Sequence, residues 1–507
     1  MKGLWLNVDD AIPRIRKLDS LLNQTSEIIS HTPDQTNTIH LVNHGANWPH
    51  GPIAQQSSRT MLGVGWICYK GVIGDINCML ADYLEDSLKF FHSLEHESSG
   101  SYLIVVIIKG EITIITDPFS THPHYLRHDS SIQISPQPES LSQGCLENPR
   151  NSECLAVNNH LFGDATLWDA VNRIPPGSIV KDRIVKRWFN HASKEGHVNE
   201  IFATLKHELS QLNHQKRIIP LSGGFDSRLI LAATEEPNFG FTFGPQDTQD
   251  RPIARHFSHK FTTDYHEFSM LDIIHRQSAK DAGSMMFNGI CASPFAEVLN
   301  AFRYIHERWD ESGLYLGGLL GDVLQRFTYL HKNGIISHFG KLFPLINLAG
   351  FNPRRRLRSK YKTLSPHGLK SIIDDFDEFS DTYPLQQSWQ YTLYQILRGR
   401  GMRYIINGDT IMSRQFFTPV QPFFFPSVYR KLLTSKPIHA LGLKTMRNIW
   451  RPVPKEFKIN SVWGFRPDTN PFIARMKFST TLVAKRFFGH NRDTYSDELK
   501  NIEWTSD

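Results

Sequence analysis

Apolar and polar positions divide the chain into three stretches of different rhythm. Up to about residue 190 the apolar residues come in short β-branched runs, LIVVII (103–108), EITIIT (111–116) and SIQIS (131–135), separated by Gly, Asp and Pro. That is the pattern of short strands with turns between them. Lys109 and Gly110 join the first two runs and predict a hairpin. From about 195 the rhythm becomes helical in HVNEIFATLKHELSQL, and then strands and helices alternate: RIIPL, SRLILAAT, NFGFTFG, RPIARHFSHKF and DYHEFSM. Strands alternating with helices predict a parallel sheet covered on both faces. Beyond about 285 the chain reads as mostly helical, without a repeat. The change of rhythm places a domain boundary near 193, giving 1–193 and 194–507, and a length of 507 residues argues for the same division.

Composition narrows the class. With 40% apolar and 21% charged residues the chain is that of a folded globular protein. No run of 18 apolar residues occurs, and the opening MKGLWLNVDDAIPRIRKLDS interrupts its apolar residues with acids and a proline. A cytoplasmic protein with no membrane partner is the expectation. Five widely spaced cysteines, Cys68, Cys78, Cys145, Cys154 and Cys291, form neither a disulfide framework nor a CxxC metal site. The net charge of +6 permits an acidic partner without demanding one. Its densest contribution, RRRLRSKYK at 354–362, reads as a solvated surface; with no nucleic-acid motif or aromatic platform beside it, no nucleic-acid partner is expected.

The candidate chemistry sits in RIIPLSGGFDSRLILAAT, 217–234. In a strand–loop–helix unit the first helical turn offers unpaired N–H groups and the positive end of the helix dipole to an anion. Gly223 and Gly224 allow a tight turn and a close approach to the main chain, and Ser222 and Ser227 add hydroxyls. The loop has no GxxxxGK[ST] lysine. An acid at Asp226 beside a phosphate cradle makes sense if Mg²⁺ bridges carboxylate and phosphate oxygens. Residue by residue the same loop also reads as a tight turn, a serine cap and a first-turn acid.

LSGGFDS, 221–227, resembles the SGGxDS loop of the PP-loop ATP pyrophosphatases. FTFG (241–244), HEF (266–268) and YLGGLLGDVL (315–324) are similar to further segments of the asparagine synthetase family within that group. So are GSYLIVVIIKGEITIITDPFSTHPHYL (100–126) and HLFGDATLWDAVNRIPPGSIV (160–180), which look like its glutaminase-domain core and exit, and, more distantly, FTPVQPFFFP and GLKTMRNIWRPVP. The resemblance implies an α/β protein: an N-terminal Ntn-hydrolase-like αββα sandwich, then a PP-loop (adenine nucleotide α-hydrolase-like) parallel sheet with a helical C-terminal extension. It implies an ATP-dependent ligase using ATP and Mg²⁺, which adenylates a small-molecule, peptide or sugar carboxylate and passes it to ammonia or a substrate amine. It also implies site residues: Leu221, Ser222, Gly223, Gly224, Asp226, Ser227, Phe243 and Gly318 for ATP, and Asp226 with Asp322 for the metal; Arg228 replaces the family's more usual small residue, and from the first helical turn it either adds charge at the pyrophosphate as an ATP-binding residue or points to solvent.

Departures from the family pattern shift the expectation toward a specialised relative, such as a β-lactam synthetase-like or lasso-peptide cyclase-like enzyme. The position after the initiator methionine, a nucleophilic cysteine in working glutaminases of this type, is Lys2, so no glutaminase activity is expected. Leu319 stands where the synthetases have glutamate and the β-lactam-forming relatives tyrosine. Val462 stands where the family has a lysine, leaving Lys458 or Arg466 as displaced cations for the acyl-transfer step. An ATP-binding scaffold without turnover is the alternative, and a nucleic-acid-directed PP-loop enzyme a third reading. A homodimer is compatible with all of them.

Overall fold

The computed structural model describes residues 2–33, 37–42, 48–129, 131–212, 216–235, 238–246, 248–293, 295–309, 313–331, 335–487, 499 and 501–505. It is a mixed α/β protein with several sheets.

Two antiparallel sheets occupy the first 190 residues. One runs, edge to edge, through Val171–Arg173, Tyr125–His128, Ile132–Ser135, Gly3–Leu6, Ile39–Val42 and Ile28–His31. The other runs through Ile184–Arg187, Ser178–Lys181, Glu111–Thr116, Ser98–Ile108, Arg59–Tyr69 and Ile53–Gln56. The apolar run 103–108 shows how they stack. Leu103, Val105 and Ile107 point into the core shared with Leu4, Leu6 and Leu41 of the first sheet. Ile104 and Val106 point the other way, onto Ile76, Met79, Phe90 and Leu94 of the helices Ile76–Glu85 and Ser87–His96. Both faces of this strand are covered, so its sequence is continuously apolar instead of alternating. The helix Ala11–Leu22 closes the outer face of the first sheet with Ala11, Ile15, Leu18 and Leu22. The layers are therefore helix, sheet, sheet, helix. The expected hairpin is present, with Ile108 opposite Glu111 and positive φ at both Lys109 (52°) and Gly110 (85°), as a tight two-residue turn requires.

The third sheet is wholly parallel, in the order Asp264–Phe268, Asn238–Phe243, Arg217–Pro220, Leu314–Leu316, Thr418–Val420. The chain winds outward from Arg217–Pro220 through the first two neighbours, then returns to build on its other side. The order reverses between Arg217–Pro220 and Leu314–Leu316, and in sheets of this kind ligands bind outside the carboxyl ends of the strands at such a point. Past residue 277 the described chain is mostly helical. Trp66 ties this sheet to the antiparallel pair by donating its indole N–H to the Pro419 carbonyl at 2.9 Å. None of the described helices is long and apolar enough to cross a membrane.

Lys2 lies at this same junction, just before the strand Gly3–Leu6. Its ammonium donates to the Gln415 carbonyl at 2.6 Å. A cavity of only about 20 Å³ remains among Lys2, Gly65, Trp66, Ser101, His122 and Arg414. That is scarcely room for one water, far less a glutamine side chain. Burial pulls the Lys2 pKa down to about 7, with the Asp19 charge opposing. The folded value lies below the unfolded one, so the unfolded chain binds the extra proton between about pH 7 and 10.5, and the Lys2 contribution to stability rises with pH across that window. Purified protein should therefore release no ammonia from glutamine. The gap in denaturation midpoint between wild type and Lys2→Met should also change in favour of wild type from pH 7 to pH 9, measured in guanidinium.

Candidate active site at the sheet switch point

The strand Arg217–Pro220 ends in the loop 221–225, which runs into the helix Asp226–Ala233. Arg228, in the first turn of that helix, fixes the loop's shape. Its side chain is fully buried, and its guanidinium donates to the carbonyls of Gly224 (2.8 Å), Gly223 (2.8 Å) and Ile459 (3.0 Å). A planar trans peptide points its N–H opposite to its C=O. Holding the Gly223 and Gly224 carbonyls therefore turns the N–H groups of Gly224 and Phe225 to the side away from Arg228. Rings of Phe225 (4.9 Å) and Phe257 (5.1 Å) flank the guanidinium, and burial lowers its pKa to about 10. This corrects the sequence expectation for Arg228. It sits behind the loop, engaged with carbonyl oxygens, and does not present its charge to a phosphate.

The rest of the loop is knitted by its serines. Gly224 N–H donates to Ser222 Oγ at 3.2 Å, Ser222 N–H to Ser227 Oγ at 3.3 Å, and the two hydroxyls lie 3.2 Å apart. Gly223 N–H donates to Asp250 Oδ1 at 2.6 Å. A carboxylate oxygen thus already rests on a loop amide, as a phosphate oxygen would.

A second loop, after Leu314–Leu316, closes on the first. A Cβ on Gly318 would meet the Ser227 nitrogen at 3.3 Å, and one on Gly321 would meet the Asp226 carboxyl carbon at 2.9 Å. Glycine at both positions lets the loops touch. Leu320, between them, is held at φ 58°, a left-handed conformation that costs a branched residue free energy. The approach brings the two predicted carboxylates to one cation: Arg326 Nη2 lies 3.7 Å from Asp226 Oδ2 and 4.0 Å from Asp322 Oδ2. Gln325 Nε2 donates to Asp226 Oδ1 at 2.8 Å. Burial pushes the Asp226 pKa up; Arg326 opposes the shift and the Asp322 charge adds to it. Asp226 is thus a carboxyl group whose charged form burial disfavours, beside a cation.

A buried acid that sequence reasoning missed is bonded to the strand Leu314–Leu316 and to the residue that follows Thr418–Val420. Asp409 accepts from Tyr315 OH (2.9 Å) and Gln421 Nε2 (2.9 Å), and burial raises its pKa to about 7. Leu221 is buried and Phe243 half-buried, the latter stacked between Phe241 (6.1 Å) and Phe268 (6.0 Å). Lys458 and Arg466, the expected displaced cations, each hold a partner in this structure. Lys458 Nζ donates to the Arg451 carbonyl at 2.9 Å, and Arg466 pairs on the surface with Asp468 through Nε (3.1 Å) and Nη2 (2.9 Å). Val462 packs against Gly223.

Asp226 and Asp322 are the residues that could hold a divalent cation here. Two carboxylates converge on a cation, here the Arg326 guanidinium. A site of one or two carboxylates that relies on substrate phosphates for its other ligands has this composition. A cavity of about 840 Å³ lies away from the crevice, over Leu155, Met285 and Phe287, and holds neither loop amides nor the paired acids.

No family model matches the chain, and no curated protein matches it. Among solved structures it is similar to one described as the allosteric regulatory enzyme of purine biosynthesis, at 10% identity over 54% of this chain and 81% of that one, with a TM-score of 0.24. It is also similar to the glutamine phosphoribosylpyrophosphate amidotransferase from B. subtilis in complex with ADP and GMP, at 9% identity over 57% of this chain and 63% of that one, with a TM-score of 0.20. Likeness at this level carries no inference about activity.

Proposed function

We propose that the chain is an ATP-dependent carbon–nitrogen ligase of the asparagine synthetase type. A substrate carboxylate attacks the α-phosphate of ATP, pyrophosphate leaves, and ammonia or a substrate amine then displaces AMP to give an amide. The observation that carries this reading is the meeting of Asp226 and Asp322 on one cation beside a glycine loop with an amide N–H that donates to an anionic oxygen, at the switch point of a parallel sheet. The loop's part is to grip the pyrophosphate end: Phe225 offers its N–H group, Ser222 and Ser227 offer hydroxyls, and Arg228 keeps the carbonyls out of the way. Asp226 and Asp322 are the residues that would hold Mg²⁺, which when bound neutralises charge on the phosphates. Phe243 offers an apolar ring to adenine. The rest is positioning of a carboxylate against phosphorus.

Carboxylate-dependent exchange of labelled pyrophosphate into ATP tests the reading, run across small acids, peptides and sugar acids. Exchange with one class and not the others identifies the acceptor as well. The engagement of Lys458 with the Arg451 carbonyl and of Arg466 with Asp468 favours a second reading, a nucleotide-binding scaffold. That protein binds ATP, shows no exchange with any carboxylate, and forms no AMP.

A further inference from the structure

The basic run 354–362 lies on the helix Pro353–Lys360 and just beyond it, and the helix sorts its charges by face. Arg354 Nε pairs with Asp377 Oδ1 at 2.7 Å, on the acidic helix Pro366–Thr382 that packs alongside. Arg356 and Lys360, one turn apart and so on a common face, meet other partners. Arg356 donates to the His331 carbonyl. Lys360 Nζ lies 5.4 Å over the Tyr329 ring and 5.2 Å over the Tyr361 ring, and donates to Gln395 Oε1 at 3.1 Å. Tyr329 belongs to the turn Thr328–Leu330, just beyond the helix Gly321–Arg326 that carries Asp322, and the turn packs on that helix and on Gln387–Leu397. Burial pushes the Tyr329 hydroxyl pKa up; the Asp322 charge adds to the shift and Arg400 opposes it, so both charges act on this ring's hydroxyl. The basic face of the helix therefore reaches the neighbourhood of the paired acids through Tyr329.

Lys360, Arg400 and Arg356 are in no ion pair with a carboxylate among the described residues. Solvent reaches Lys360 and Arg400, and Arg356 is half-buried. Even so, the pKa of Lys360 is pulled down to about 8, by the burial of its ammonium first and by the charges of Arg400 and Arg356 after it. A lysine on an open surface keeps its ordinary value. An ammonium that solvent reaches and the surrounding protein still disfavours stands in the wall of a crevice. Cations gathered there without counter-charge repel one another, and an oxyanion placed among them relieves that repulsion. Two guanidinium groups and an ammonium are also the donors that suit phosphate or carboxylate oxygens. Because Tyr329 feels Asp322 as well as these cations, a ligand held by them has its other end toward the paired acids.

We propose that Lys360, Arg400 and Arg356 form a subsite for a second oxyanion, a phosphate monoester or an additional carboxylate, carried by the acyl substrate whose reacting carboxylate is activated beside Asp226 and Asp322. The substrate's identity rests on the ligase reading; the anion site itself is testable without ATP. Acetic anhydride at pH 8, with modified lysines identified by mass spectrometry, reads the site in the wild-type protein. Lys360 should acetylate about tenfold faster than a lysine of ordinary pKa, since far more of it is uncharged at that pH. Inorganic phosphate should slow its acetylation about fivefold, and sodium chloride at equal ionic strength should not. Malonate in place of phosphate distinguishes a site for carboxylate from one for phosphate. In pyrophosphate exchange, acids that carry a phosphate monoester or a second carboxylate should be the active ones, and Lys360→Gln and Arg400→Gln should each raise the KM of that acid about tenfold. Protection by phosphate with no exchange from any acid keeps the anion site and removes the ligase reading, and with it the acyl substrate. Exchange with singly charged acids at KM values that neither variant moves keeps the ligase reading and overturns the subsite. Acetylation of Lys360 that neither phosphate nor malonate slows overturns it as well.

Discussion

Asp226→Ala is expected to reduce carboxylate-dependent pyrophosphate exchange by about a thousandfold, the usual cost of deleting a group that organises transition-state charge at a phosphoryl centre. The expectation rests on position. Asp226 is the acid at the mouth of the glycine loop, it shares Arg326 with Asp322, and Gln325 orients its other oxygen. Asp322→Ala should lose less, because Asp322 is further from the shared cation, its only ion-pair partner among the described residues. The Asp226→Asn variant separates function from stability. Burial raises the folded pKa of Asp226 above its unfolded value, so the fold prefers the protonated form, and that preference turns into a cost as pH rises through the ordinary carboxylate range. The neutral amide removes the cost. Asp226→Asn should therefore be as inactive as the alanine variant yet unfold at a higher denaturant concentration than wild type at neutral pH. Exchange by the wild type should fall on acidification at a higher pH than an ordinary surface aspartate would dictate, because a proton competes for the carboxylate that the metal needs. Unchanged ATP affinity and exchange in Asp226→Ala would remove the assignment of the loop altogether.

How much of the site is legible in the chain depends on the distance over which each feature is determined. The strand–loop–helix unit around 221–227 can be read directly, since strand, glycines, hydroxyls and acid are adjacent. The antiparallel half is legible for the same reason, in β-branched runs whose hairpin turn lies between them. The pairing of Asp226 with Asp322 is readable only as two glycine–acid segments able to converge; the absence of Cβ atoms at Gly318 and Gly321 is what brings them together. Asp250, Arg326 and Asp409 carry no local signal. Asp250 reads as a first-turn helix acid, Arg326 as a last-turn helix cation, and Asp409 as a polar residue in an apolar helix; the partners that draw them to the site, Gly223, Asp226 and Tyr315, lie far along the chain. The misplacement of Arg228 has the same origin. Its position after the loop suggests a phosphate ligand, and the side of the helix it occupies, set by packing against Phe225 and Phe257, makes it a support.

That support has a measurable consequence. Arg228→Leu should destabilise the free protein by about 3 kcal/mol, since three buried carbonyl oxygens lose charged donors while removing the buried cation recovers only part of that loss. Arg228→Lys should restore little of it. An ammonium is a point charge with no planar fork, and it cannot reach Gly223, Gly224 and Ile459 together. A residue that bound phosphate would behave otherwise. Its loss would weaken ATP binding and leave the unliganded fold alone, and lysine would serve nearly as well. Guanidinium denaturation without nucleotide, beside ATP titration of both variants, distinguishes the two. The expected pattern is loss of stability in both, with affinity lost as well because the loop carbonyls are then free to turn toward the nucleotide. Wild-type stability with weakened ATP binding in Arg228→Leu would return the guanidinium to the phosphate side of the loop.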